Sequence, residues 1–123
     1  MWKYNPFTGN LEPINDSLLS SKILPSVGTI LSLSTGVVDT LPYSGFFSCR
    51  YFCALQSASG KTASFDYSIT TDNSGGVLTA VFGKIMGGLS YTVESSVISG
   101  NILFKITNNE SDLLTWKIQK LGF

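Results

Sequence analysis

The chain has 123 residues, and eight basic residues balance eight acidic ones, so its net charge is zero. A neutral chain offers no basic footprint for phosphate backbones, which argues against nucleic acid as a partner. The length suits one domain with one hydrophobic core, and the absence of histidine excludes serine–histidine catalysis and histidine-ligated zinc.

The first fourteen residues join aromatic side chains to prolines that interrupt regular structure. Pro6 and Pro13 lack backbone donors and disfavour helix at the residue before them, and Gly9-Asn10 is a turn signal. We therefore predict an extended arm that binds either the protein's own body or another chain. The expected partner-binding residues of this arm are Trp2, Tyr4, Pro6, Phe7 and Leu11.

A strand-rich region begins at Val27, where side chains start to alternate with a period of two. The predicted strands occupy residues 27–34, 37–40, 46–56, 62–70, 77–86, 91–97, 102–106 and 114–118. This pattern predicts an all-β fold, a single antiparallel β-sandwich or jelly roll of about seven or eight strands that follows an N-terminal extended arm. The chain then divides into an arm and linker, residues 1–26, and a β-sandwich domain, residues 27–123.

Several predicted strands carry signals of their position in a sheet. Both faces of the segment from Phe46 to Gln56 are bulky, so this strand is expected at the centre of a sheet. Gly83 predicts a bulge, and Gly100-Asn101 predicts a hairpin turn. Lys117 and Lys120 lie on the last strand and favour an edge position, because charged side chains discourage pairing with other chains.

Residues capable of chemistry are sparse. Cys49 and Cys53 fall on one face of a predicted strand, too far apart to bridge, and we interpret them as small buried hydrophobes. The oxygen-rich residues 108–112 are explained by a hairpin turn without a calcium ion. Most carboxylates fall in turns or on polar faces, so we expect no catalytic, cofactor-binding or metal-binding residues. Three aromatic residues are candidates for glycan or intersubunit contacts, with core packing as the other interpretation: Tyr43, Phe46 and Tyr91.

The composition also bears on where the protein works. The sequence has no run of eighteen apolar residues, and its start lacks the basic region, apolar core and cleavage site of a secretory signal. We therefore expect synthesis in the cytoplasm and no insertion into a membrane. Only 13% of the residues are charged, which leaves much neutral surface and suits a protein that packs against other copies or partners.

Two sets of residues resemble a pattern in virion proteins of tailed bacteriophages, especially small proteins of marine and aquatic phages. The first set is residues 2–11, whose YNPFTG run looks like the aromatic starts of such proteins. The second set joins residues 38–42, Arg50-Tyr51-Phe52 and residues 102–109, and is similar to a tail-fibre-associated β domain. Arg50-Tyr51 replaces the spaced arginine and lysine of that family, and Asp66 is the nearest match to its acidic middle strand.

The resemblance implies a structural component of a virion, made in the host cytoplasm and placed in a tail fibre, an adaptor or a capsid decoration. It also implies a β-sandwich that often assembles around a threefold axis, so a homotrimer is the favoured oligomer. With no catalytic groups identified, we predict a non-enzymatic protein that contacts copies of itself and other virion proteins. The alternative is a carbohydrate-binding module of a phage fibre that recognises host surface glycans.

Overall fold

The computed structural model describes residues 2–5, 10–13 and 25–122. These residues contain ten β-strands and no helix, hence none long and apolar enough to cross a membrane. The strands are β1 Trp2–Asn5, β2 Asn10–Pro13, β3 Ser26–Ile30, β4 Thr35–Pro42, β5 Ser48–Ser57, β6 Thr62–Thr71, β7 Val77–Gly87, β8 Tyr91–Ile98, β9 Asn101–Asn108 and β10 Leu114–Gly122.

Strands β3 to β10 form two antiparallel sheets that pack face to face. The larger sheet has the order β3-β10-β5-β6-β7, and the smaller sheet has the order β4-β9-β8. Side chains alternate between buried and exposed along β5, β6 and β9, as expected for strands with one face in a core. The predicted antiparallel β-sandwich is therefore confirmed, and β5 lies at the centre of the larger sheet as predicted.

Aromatic rings fill the middle of the core between the sheets. Phe104 on β9 contacts Tyr51 and Tyr67 of the larger sheet, with ring centroids 4.8 Å and 4.5 Å away. The Tyr51 hydroxyl donates a hydrogen bond of 2.6 Å to Asp39 Oδ2, and the Tyr67 hydroxyl lies 2.7 Å from Ser95 Oγ. Burial raises the pKa of both tyrosines, which keeps their hydroxyls neutral. Each ring therefore adds apolar contact while its hydroxyl links one sheet to the other.

The glycine signals of the sequence correspond to real irregularities of the sandwich. Gly83 has a φ of 65° beside a register shift between β6 and β7, which confirms the predicted bulge. Ser99 and Gly100 both have positive φ in the turn that joins β8 to β9, which confirms the predicted hairpin.

Strand β10 is not at an edge, contrary to the prediction from Lys117 and Lys120. It pairs with β5 on one side and with β3 on the other, so β3 forms that edge. Gly28 makes the β3 pairing possible, because a Cβ at this position would overlap the indole ring of Trp116. Lys120 meanwhile forms an ion pair of 3.2 Å with Asp39 of the smaller sheet.

The turn between β3 and β4 lies earlier than predicted. Strand β3 ends at Ile30, and the chain reverses at Leu33, whose φ is 54°. Leu31 and Leu33 are consequently 71% and 74% exposed instead of lying on a strand face. The backbone of this turn bonds to the loop after β9, since Leu33 N donates to Glu110 O and Asn108 N donates to Ser34 O.

The oxygen-rich segment after β9 is not a hairpin turn, because β9 and β10 belong to different sheets. Its side chains instead hold neighbouring loops at this end of the sandwich. Glu110 accepts a hydrogen bond from Ser90 N at 2.7 Å and forms an ion pair of 3.0 Å with Lys61. Asp112 Oδ2 accepts from Ser59 N at 2.8 Å. The segment thus links loops of the two sheets through hydrogen bonds and an ion pair.

Glu110 is expected to make the stability of the fold depend on pH. The Ser90 hydrogen bond and Lys61 lower the pKa of Glu110, so the folded chain binds its proton less readily than the unfolded chain. This contribution is present above the unfolded pKa of about 4.3 and is lost as pH falls through the lower, folded pKa. Urea midpoints between neutral pH and acid should therefore fall less steeply with acidification in Glu110→Gln.

The matched control is Glu94→Gln, which removes an exposed glutamate from β8 and leaves the contacts of Glu110 in place. Asp72, whose pKa is also lowered by hydrogen bonds from Ser74 and Gly76, stays in place in both variants. An acid transition in Glu110→Gln that overlays the wild-type curve would contradict this role of Glu110.

Candidate interaction surface

One side of the larger sheet points away from the smaller sheet, and we call it the outer face. Strand register places its side chains in rows that cross the strands. One row, the aromatic row, consists of Gln119, Phe52, Asp66 and Phe82. The next row, the shallow row, consists of Val27, Lys117, Ala54, Ser64 and Ile85. The two rows lie about 6.6 Å apart, which is two residues along β10, β5 and β6. Along β7 they are three residues apart, because the Gly83 bulge inserts one residue.

Large apolar side chains are exposed on this outer face. Phe52, Phe82 and Ile85 expose 53%, 41% and 71% of their surface, and Val27 and Leu78 are more than half exposed. Single exposed apolar residues are normal on a protein surface, but several on one sheet face indicate a surface suited to an interaction.

Arg50 lies near the centre of the outer face, on β5. Its guanidinium forms an ion pair of 2.8 Å with Asp66 and lies 4.9 Å from the centroid of the Phe82 ring. The ion pair offsets the two charges, and the contact with the ring adds a cation–π attraction. Aromatic residues together with arginine are enriched at the centres of protein interfaces.

The shallow row forms a depression beside the aromatic row, because Ala54 and Ser64 are small. A concavity of about 320 Å³ lies over these two residues and is bounded by Ile85 and Gln56. A second concavity of about 200 Å³ adjoins it at Ala54 and is bounded by Phe52. The outer face therefore presents a ridge and a neighbouring groove.

The loop aromatics predicted as contacts are not brought together. Tyr43 is half-buried, and its hydroxyl accepts a hydrogen bond from Gly75 N at 3.2 Å. Phe46 follows it in the same loop and is 97% exposed. Tyr91 begins β8 at the opposite end of the sandwich and stacks on Phe65 with ring centroids 5.4 Å apart. Of the three, Phe46 has the most accessible side chain.

The predicted arm is partly regular. Its backbone pairs antiparallel, with Trp2 opposite Pro13 and Tyr4 opposite Leu11, so β1 and β2 form a short hairpin. This pairing provides hydrogen-bond partners for backbone N–H and C=O groups of β1 and β2. Pro6 and Phe7 lie outside the described residues.

The carboxylates for which the structure gives partners form hydrogen bonds and ion pairs that stabilise the fold. Asp39 accepts from Tyr51 and Lys120, and Asp66 and Glu110 each form an ion pair with a basic residue. Within the described ranges, no group of three or more cysteine, aspartate or glutamate side chains could hold a metal ion.

Both cysteines are buried on the inner face of β5 and form no disulfide, as the sequence interpretation expected. Burial raises the pKa of Cys53 to about 12 and also raises that of Cys49, so little reactive thiolate exists at neutral pH. Both thiols therefore behave as packing groups.

Comparison with known proteins finds a structural similarity at low sequence identity. No family model and no curated protein matches this chain. Among solved structures, it is similar to the tailspike protein gp49 of Acinetobacter baumannii bacteriophage Fri1, a capsular polysaccharide depolymerase, at 15% sequence identity and a TM-score of 0.45. The match covers 99% of this chain but 19% of the tailspike, so the chain spans about a fifth of that protein's length.

The outer face was missed by the sequence interpretation, although a signal for it exists. Phe52 contributes to the bulk on the second face of β5, from which the sequence predicts only a central strand. Phe82 and Ile85 lie on either side of the Gly83 bulge, which hides their shared direction from a strict period of two. Apolar residues on both faces of a strand also indicate a face that awaits a partner.

Proposed function

We propose that this protein is a non-enzymatic structural component of a tailed-bacteriophage virion and works by binding other proteins. The observation that carries the proposal is the outer face, which exposes Phe52, Phe82 and Ile85 and also carries the ion pair of Arg50 with Asp66. Such a surface is suited to protein contact, because burying its apolar side chains removes them from water.

The segments that resemble phage virion proteins support this proposal through their place in the fold. The second resembling set consists of residues 38–42, 50–52 and 102–109. Asp39 in its first segment accepts the hydrogen bond of Tyr51 in its second segment. The ring of Tyr51 contacts Phe104, in the third segment. Asp39, Tyr51 and Phe104 of the three segments therefore contact each other in turn across the two sheets, and the Asp39 carboxylate stabilises the fold.

The proposal is tested in particles of the phage that encodes the chain. Mass spectrometry of purified particles should detect the protein in a fixed number of copies, and electron microscopy should assign it to the tail fibre, an adaptor or the capsid surface. Its absence from intact particles would overturn the proposal, as would breakdown of a host glycan by the purified protein.

Carbohydrate binding is a second candidate function, favoured by the 97% exposure of Phe46 in the loop after Tyr43. An exposed ring offers an apolar face on which a sugar ring can stack. Glycan binding by the purified protein that Phe46→Ala abolishes would replace protein contact by glycan recognition as its function.

We further propose that the arm binds another chain through the aromatic residues predicted from the sequence. Deletion of residues 1–14 should leave the β-sandwich folded, because the buried core side chains that the structure describes lie between residue 30 and residue 118. The deleted protein should fail to enter particles, which is measured by comparing its abundance with wild type in purified virions. A truncated protein that enters particles at the wild-type level, with an unchanged oligomeric mass, would contradict this role.

A further inference from the structure

The outer face contains two neighbouring rows of side chains whose shapes are complementary. Phe52 and Phe82 project from its aromatic row, and the shallow row beside it is low at Ala54 and Ser64, where the concavity lies. In a symmetric pair, the same patch is used by both partners, so a ridge and a groove on one patch must lie on opposite sides of the symmetry axis. The two rows meet this requirement.

We infer that two copies of this chain pair through their outer faces around a twofold axis that runs across the strands, between the aromatic row and the shallow row. The inference rests on the proposed function as a contact protein and names its first partner, which is a second copy. The result is a face-to-face packing of two sheets, at the spacing of about 10 Å that such sheets adopt.

The axis places chemically compatible side chains opposite each other. Phe52 of one copy lies over Ala54 of the other, where a small side chain leaves room for the ring. Phe82 lies over Ile85, which pairs two apolar side chains that are exposed in the single chain. Each of these contacts occurs twice because of the symmetry.

The polar members of the two rows are also matched. Asp66 of one copy faces Ser64 of the other, where a hydroxyl can donate to a carboxylate. Lys117 faces Gln119, whose amide oxygen can accept from an ammonium group. The charge of Asp66 is offset by Arg50 of its own chain. The pairing therefore buries one ion pair for each copy, and no two charges of the same sign face each other across these two rows.

The outer face has the area that a stable dimer needs. The strands of this sheet are 5 to 11 residues long, so at about 3.3 Å by 4.8 Å for each residue they span roughly 700 Å². This area is close to the share of each partner, about 800 Å², in an interface of standard size.

The test is the mass of the purified full-length protein in solution, measured by sedimentation equilibrium. We expect a dimer, twice the chain mass of 13.3 kDa. Phe52→Ser should weaken dimerisation about 30-fold or more, the effect of truncating a central interface residue. The matched control is Phe46→Ser, which removes a phenylalanine that is 97% exposed on a loop and should leave the dimer unchanged.

A second variant separates lost pairing from lost folding. Ala54→Arg fills the groove with a bulky cation while the inner face of β5 remains untouched. It should give a monomer whose thermal unfolding is close to that of wild type. Dimerisation of Ala54→Arg with wild-type affinity would overturn the inference.

The register of the pair is tested by crosslinking. A mixture of Phe52→Cys and Ala54→Cys should form a mixed dimer with a short bismaleimide reagent, because the two positions face each other. A mixture of Phe46→Cys and Ala54→Cys should not, and the native cysteines are buried and poorly reactive. Equal crosslinking of both mixtures would contradict the proposed axis.

Three results for the wild-type chain would overturn the pairing: a monomer at about 100 µM, a trimer, or a monomer that dimerises only after residues 1–24 are removed. The last would mean that the chain's own N-terminal segment covers the outer face. The proposed function fails separately, since a dimer that is absent from virions refutes the virion role, whereas a monomer found in virions refutes the pairing alone.

Discussion

The Phe104→Ala variant is expected to lose about 3–5 kcal/mol of unfolding free energy. Phe104 lies on β9, the central strand of the smaller sheet, and is 1% exposed. Its ring contacts Tyr51 and Tyr67, both anchored in the larger sheet. Truncation removes apolar contact from the middle of the sandwich and leaves a cavity that the flanking strands cannot close, because both tyrosine hydroxyls are held by hydrogen bonds.

Equilibrium unfolding in urea measures this loss. Phe104→Leu is the matched variant within the core, and it should cost less than the alanine variant because more of the volume is kept. Phe46→Ala removes the same ring from an exposed loop and should change stability by no more than about 0.5 kcal/mol. A loss below about 1 kcal/mol in Phe104→Ala would show that the two sheets do not depend on this contact.

Asn108 is expected to be the most sensitive polar position of the fold. Its side chain is fully buried, and Nδ2 lies within 3.2 Å of the carbonyl oxygens of Ile30, Leu31 and Asp112. Oδ1 accepts from Glu110 N at 2.9 Å. One amide therefore joins the turn after β3 to the loop before β10, and removing it leaves buried backbone groups without partners.

We expect Asn108→Ala to cost about 2–4 kcal/mol of unfolding free energy, from the lost hydrogen bonds and the unpaired groups that remain. Asn108→Asp keeps the shape but turns a donor into an acceptor that faces three carbonyl oxygens, so it should cost at least as much. Urea unfolding measures both, with the exposed neighbour Asn109→Asp as the control. An Asn108→Asp variant as stable as the control would contradict the role of this amide.

The period of two along the chain determined most of the strands, because alternation of side chains is a local property of extended backbone. Strand β5 could be placed at the centre of a sheet because its bulk occupies both faces. The bulge at Gly83 and the turn at Gly100 were predictable for the same local reason, since glycine adopts positive φ without steric cost. The all-β class and most strand positions along the chain thus follow from residue order alone, whereas β1, β2 and the end of β3 do not.

The tertiary structure decided what depends on distant residues. The turn at Leu33 has no glycine, proline or asparagine, and it bonds to Asn108 and Glu110, more than seventy residues later. The position of β10 inside the larger sheet depends on Gly28 making room for Trp116, which a pattern of lysines could not reveal. The outer face is likewise defined only by strand register, because Phe52, Asp66 and Phe82 become neighbours when β5, β6 and β7 pair. Local alternation sets which residues form strands, whereas long-range packing sets which strands are neighbours and which face is left uncovered.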